Sequence, residues 1–157
     1  MTINDLELNA RCLKIESLAG RFAELQREGK KEELEDALSE ITRQARGGDL
    51  TYLASPYSHP DPWVRQERYN QALNALTKLL SADKFVFSPI VHSHHADGRL
   101  RGEKDHSFWM RQAIEMLKRS DRLTVLMLDG WKQSKGVAQE VVFASRQGIP
   151  VDYMEWA

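Results

Sequence analysis

Residues 122–147, RLTVLMLDGWKQSKGVAQEVVFASRQ, pass without a break from an apolar run through a polar turn into a second apolar-rich stretch. The run 123–128 is interrupted only by Thr124 and is far shorter than the roughly 20 residues that cross a bilayer, so it reads as a buried strand. Asp129 and Gly130 end it. Ser134 then stands in a good N-cap position, and residues 135–147 carry Val137, Ala138, Val141, Val142 and Ala144, which predict a largely buried helix. An apolar strand feeding a helix is the unit from which parallel sheets covered by helices are built.

The same alternation extends outward on both sides. Strands are expected at residues 50–54, 85–88 and 149–154, besides the one at 122–128. Asp61 as N-cap and Pro62 at the first helical position open a helix whose buried side comprises Ala72, Leu73, Ala75, Leu76, Leu79 and Leu80. A further helix covers 107–119, and residues 89–104 read as a long polar connection. Right-handed crossovers then give a small doubly wound, Rossmann-like or flavodoxin-like parallel sheet of four to five strands, ordered 2-1-3-4, over residues 49–157. Residues 1–48 form a helical extension, a helix hairpin with a break at Gly29 and a stop at Gly47-Gly48. Its second helix lines Leu34, Leu38, Ile41 and Ala45 on one face, and Cys12 reads as a small buried residue on the first.

Of 157 residues, 41% are apolar and 29% charged, and the formal net charge is −1. Such a chain builds a globular core and lacks the positive field that holds a nucleic-acid backbone or an anionic membrane. A small molecule is the expected partner. The single cysteine excludes an internal disulfide and a cysteine-cage zinc site, and suits a reducing cytoplasm; Asp5 and Glu7 near the start do not fit a secretion signal.

The five histidines, His59, His92, His94, His95 and His106, fall in the expected loops after the first two strands or just before the next helix, where they mark a polar pocket. Metal ligation by His92, His94 and His95 with Asp97 or Asp105 is the alternative, although no second His pair or cysteine closes the shell. The sharpest pattern is Ser134-Lys-Gly136-Val-Ala-Gln-Glu140. The amides at the helix start offer donors to a phosphate or a sugar hydroxyl, and Gly136 clears space for it. Glu140, four residues on, shares that helical face. A carboxylate in the middle of a buried helix needs a reason to be there.

Tyr52-Leu-Ala-Ser-Pro-Tyr-Ser58, Ser88-Pro-Ile-Val-His-Ser-His94, Trp109, Asp121 and Leu128-Asp-Gly-Trp-x-x-Ser-x-Gly-x-x-x-Glu140 together resemble the nucleoside 2-deoxyribosyltransferase-like superfamily, most nearly a bacterial and phage branch of it, over about two thirds of the chain. The resemblance implies that Glu140 attacks the anomeric carbon of a (deoxy)ribosyl group, releasing the base and leaving a glycosyl ester for water or a second base to resolve. It implies a nucleotide or nucleoside ligand, no cofactor or metal, and a homodimer or larger homo-oligomer. Ser134 and Gly136 correspond to residues that hold a 5′-phosphate, while Tyr52, Ser55, Ser58, His92 and Trp109 surround the substrate. One departure stands out: where the superfamily carries an aspartate, eight residues before Asp121, this chain has Ala113. Tyr57, His94, Glu103 and Asp105 are the groups available to replace it; the alternative is a regulatory protein that binds nucleotide without cleaving it.

Overall fold

The computed structural model describes residues 3–45, 49–100 and 103–156. By compactness the chain divides into two units, Met1–Gly48 and Asp49–Ala157. In the first, α1 (Ile3–Glu28) and α2 (Lys31–Ala45) are separated at Gly29, whose φ of +70° is a left-handed conformation that ends a helix at little cost. Lys14 pairs with Glu40 at 3.2 Å and Arg21 with Glu33 at 3.9 Å, so the two helices run antiparallel. Among the described residues of this unit Leu25 and Ala37 are buried. Leu38 and Cys12 are exposed, contrary to the sequence expectation, because a two-helix hairpin has only one seam in which to bury side chains. Gly47-Gly48 lies outside the described residues.

The second unit is built on a four-stranded parallel sheet in the order β2-β1-β3-β4, with β1 at Thr51–Ala54, β2 at Val86–Phe87, β3 at Arg122–Met127 and β4 at Val151–Glu155. Strand alternation sends side chains to two faces. Tyr52, Ala54, Leu123 and Val125 join Ala113, Leu117, Val137 and Ala144 in one cluster; these come from α5 (His106–Leu117) and α6 (Lys135–Gln147). On the other face Leu53, Leu126 and Leu128 pack with Ala72 and Ala75 of α3 (Pro62–Ser81), and Val91 of α4 (Pro89–Arg99) joins them. Each leucine removed from water in this way contributes about 2 kcal/mol. Asp121 fastens the amino ends of the two central strands: its carboxylate accepts from the Leu50 amide at 2.7 Å and its own amide donates to the Leu50 carbonyl at 2.8 Å.

Three expectations need correction. Residues 89–99 form the helix α4 and are not an irregular connection. Ser88 caps it by accepting from the Val91 amide at 3.3 Å, and Pro89 takes the first turn, the signature that Asp61 and Pro62 supply to α3. His92, His94 and His95 therefore ride on a helix, His92 against Phe87 and Gln112, and His94 and His95 together against Tyr69. Leu80 is half exposed at the end of α3, beyond the sheet's reach. On α6, Ala138 and Val142 face outward, and the buried stripe is Val137, Glu140 and Ala144 with Val141 at its margin. Glu140 thus occupies a core position.

Among the described residues no helix is long and apolar enough to cross a membrane.

Candidate functional site

Because β1 hands the chain to β2 on one side and β3 hands it to β4 on the other, the loops that follow β1 and β3 diverge and leave a crevice at the carboxyl ends of the strands. A cavity of about 880 Å³ lies there, large enough for a nucleotide-sized molecule. The β1–α3 loop contributes Ser55, Tyr57, Ser58 and His59; α4 contributes His92 and Asp97; α5 contributes Trp109 and Ala113; the turn into α6 and the helix itself contribute Ser134, Gly136 and Glu140.

Glu140 is 5% exposed. Its Oε1 accepts a 2.6 Å hydrogen bond from the Tyr52 hydroxyl, which reaches it from the centre of β1. Burial pushes its carboxyl up to about 7, and the Tyr52 hydrogen bond opposes that rise. Burial and the adjacent carboxylate hold the Tyr52 hydroxyl far above its ordinary value, so it stays a proton donor to Glu140. Tyr52 does not line the cavity; it stands behind the carboxylate and supports it. Ser55 is a residue of the cavity wall, and its Oγ is buried with no hydrogen-bond partner among the described residues. A donor and acceptor left in that state costs about 1–3 kcal/mol, which a ligand hydroxyl would offset once the serine hydroxyl turned toward the cavity.

At the start of α6, Ser134 Oγ accepts from the Val137 amide at 3.4 Å. The first-turn amides of Lys135 and Gly136 have no intrahelical partner by construction, and both residues line the cavity. A Cβ added at Gly136 would meet Met110 Cε at 3.6 Å and Ser134 Oγ at 3.9 Å, ordinary contacts. The fold therefore does not itself require glycine there.

Not every expected residue reaches the cavity. His94 stands behind Tyr57, its Nδ1 2.8 Å from the Tyr57 hydroxyl. Asp105 caps α5, accepting from the Phe108 amide at 2.8 Å and from Ser107 Oγ at 2.9 Å; those bonds hold its carboxyl below the usual range, and it is not part of the cavity wall. Glu103 is exposed and also outside it. Ala113 is buried in the wall, so that position brings no carboxylate. Asp97 does: it and Glu140 are the two acidic residues that line the cavity among the described residues, and Trp109 Nε1 donates to Asp97 Oδ1 at 3.0 Å. Trp109 and Ala113 are one turn apart on α5, and both line the cavity with Asp97. In the sequence Asp97 reads only as a candidate metal ligand in a loop; the Ser88-Pro89 helix start is the signal that places it on α4.

Two arginines were also missed. Arg65 and Arg68, one turn apart on α3, line the cavity. Arg65 Nη1 donates to the His59 carbonyl. Arg68 ties the two switch-point loops together, with Nη1 donating to the Ser58 carbonyl at 2.9 Å and Nη2 to the Asp129 carbonyl at 3.1 Å. Gly130, at φ +79°, lets that guanidinium approach, since a Cβ there would lie 2.9 Å from Arg68 Nη2. With Lys104 and Lys135 the cavity wall carries four Lys and Arg side chains among the described residues. The α4 imidazoles are engaged with Gln112 (His92), Tyr57 and Gln66 (His94) and Tyr69 (His95). Among the described residues no group of three or more His, Cys, Asp or Glu side chains forms a metal site.

The fold and cavity define a parallel α/β domain with a buried carboxylate at its topological switch point. The chain belongs to the family described as a domain of unknown function, DUF1937, whose model matches residues 49–156. No curated protein matches its sequence.

Proposed function

We propose that the cavity binds a nucleoside 5′-monophosphate and that Glu140 cleaves its N-glycosidic bond. The observation that carries this reading is the placement of Glu140: a carboxylate in the buried stripe of α6, bordering an 880 Å³ cavity, with a tyrosine hydroxyl as its hydrogen-bond partner. Its ionised oxygen attacks the anomeric carbon as the bond to the base breaks. The bonding pair leaves with the base, which takes up a proton, and the glycosyl ester is resolved by water or by a second base. The α6 amides, Lys135 and the cationic wall suit the phosphate. Asp97 is the second carboxyl group in the cavity, available to the departing base.

Ala113 favours a second reading, in which the cavity binds nucleotide and does not cleave it. Incubation with a panel of ribo- and deoxyribonucleoside monophosphates, with chromatography for free base, separates the two. The first reading expects base release that falls at least about a thousandfold in Glu140→Gln while binding persists. It also expects the rate in the free protein to rise with pH through about 7, because the carboxylate is the reactive form. Binding with no release supports the second reading; neither binding nor release ends both.

A further inference from the structure

A chain of oriented hydrogen bonds runs from α3 to the cavity wall. Gln66 Nε2 donates to Asn70 Oδ1 at 3.1 Å, which turns Gln66 Oε1 toward His94 Nε2, 3.2 Å away. A carbonyl oxygen accepts, so Nε2 carries the imidazole proton. His94 Nδ1 is then a bare lone pair, and the Tyr57 hydroxyl 2.8 Å away must donate to it. Tyr69 stacks on the His94 ring at 4.1 Å and 16°, and Tyr57 meets it edge-on at 5.7 Å, which fixes the ring plane.

We propose that His94 is a positioning residue that commits the Tyr57 proton, making the Tyr57 oxygen a hydrogen-bond acceptor in the cavity and selecting ligands that present an N–H or O–H at that point. This rests on the cavity being a ligand site, as the proposed function has it. It also removes Tyr57 as a proton donor to a leaving base while His94 is neutral.

The arrangement reverses when the ring is protonated. Nδ1–H then donates to the Tyr57 oxygen, and the phenol proton turns toward the cavity, where it opposes a ligand donor. The titratable and charged groups around the ring are Tyr57 from the β1–α3 loop, Arg65 and Tyr69 from α3, and His95 and Asp97 from α4. Burial lowers the His94 value most, His95 and Arg65 lower it further, and Asp97 opposes them. The acceptor form therefore holds at neutral pH. Burial and then Asp97 raise the Tyr57 hydroxyl, so it remains protonated.

Long-range nitrogen–proton correlation spectra of the labelled full chain, without ligand, read the tautomer directly. The expected result is the Nε2–H form at neutral pH, with Gln66→Glu moving the His94 titration upward by supplying an anion to Nε2–H. An Nδ1–H tautomer overturns the proposal. The functional arm measures binding of deoxynucleoside monophosphates against pH in the wild type and in Tyr57→Phe. Protonation of His94 should weaken wild-type binding by about fivefold more than it weakens the variant's, the loss of one hydrogen bond. Identical profiles overturn it as well. If the tautomer is Nε2–H and no nucleotide binds, the selecting role falls together with the nucleotide reading, and the spectra show that the failure lies in the ligand and not in the hydrogen-bond chain.

Discussion

On the α6 side of the cavity a single carboxylate, Glu140, lies in a buried stripe with one hydrogen bond, whereas on the α3–α4 side the arginines are tied to backbone carbonyls, the imidazoles to tyrosine and glutamine side chains and Asp97 to Trp109, while remaining partly exposed. The two sides handle charge differently. The Glu140 carboxyl is raised by burial, since little around it stabilises the anion beyond the Tyr52 hydroxyl. The α3–α4 groups are held in place by partners that use up their free valence, which suits recognition. A site that joins the two can fix a ligand with one wall and act on it with the other.

If that contrast is correct, the largest effect on stability comes from the α6 side. A carboxyl raised from 4.5 to about 7 binds its proton more tightly in the folded than in the unfolded chain. Between those values the folded state holds a proton that the unfolded state has lost, so stability falls as pH rises through this window and levels off above it. The span is worth on the order of 3 kcal/mol. Glu140→Gln keeps the volume and can still accept from Tyr52, so denaturant unfolding should find the variant more stable than wild type at pH 8, with the difference vanishing near pH 4. Equal stability at both pH values would mean that Glu140 is not an imposed buried charge, and the contrast between the walls would go with it.

Next in size is the tie between the switch-point loops. Arg68→Ala removes the bonds to the Ser58 and Asp129 carbonyls, and a loss of about 2 kcal/mol is expected, moderated by partial exposure. Gly130→Ala should cost about 1–2 kcal/mol from its left-handed backbone, plus the contact with Arg68. In the Arg68→Ala background the contact is gone, so a double-mutant cycle should show coupling. Strict additivity would remove Arg68 as the bridge.

How legible each wall was in the sequence follows from the same contrast. Ser134, Gly136 and Glu140 sit within seven residues, where N-cap chemistry and helical periodicity are local rules, and they were placed correctly on α6. The sheet order was also readable, because four apolar runs separated by helical stretches leave few right-handed topologies. Arg65 and Arg68 were not, and Asp97 was legible only as a candidate metal ligand. They join the site only because α3 and α4 pack on one face of the sheet, and nothing in Arg65 or Arg68 distinguishes them from solvated helix charges until that packing is known. The α4 helix itself was obscured by its composition: three histidines, a serine and a glycine lack an apolar stripe, and the stretch has no fully buried residue. Leu80, Ala138 and Val142 erred in the other direction, since an apolar residue on a helix does not announce which face meets the sheet.

A smaller effect with the opposite sign is expected at Ser55. Its buried hydroxyl has no partner among the described residues, so Ser55→Ala removes an unmet polar group and should leave the ligand-free protein as stable or more stable by up to about 1 kcal/mol. Nucleotide binding should weaken, read as a smaller ligand-induced rise in Tm at fixed nucleotide concentration. A clear destabilisation of the free protein would instead place Ser55 among the structural groups.

The smallest stability effect belongs to Gly136, and there its sign carries the information. Alanine is the better helix former, by up to about 1 kcal/mol in a helix interior and by a few tenths in a first turn. The new Cβ would stand 3.6 Å from Met110 Cε and 3.9 Å from Ser134 Oγ, so nothing need move to admit it. The φ at Gly136 is not in the left-handed region, and no backbone strain is introduced. On the fold's account alone Gly136→Ala is therefore neutral or slightly stabilising. The methyl group, however, is added to a residue of the cavity wall beside the free amides at the start of α6, where a phosphate would approach to hydrogen-bond distance. Binding of nucleoside monophosphates should fall by about tenfold or more while unphosphorylated nucleosides, which make no such approach, bind as before. Equal losses for both ligands would move the phosphate away from the helix start and toward the arginines of α3, and a destabilised protein would make Gly136 a packing residue after all.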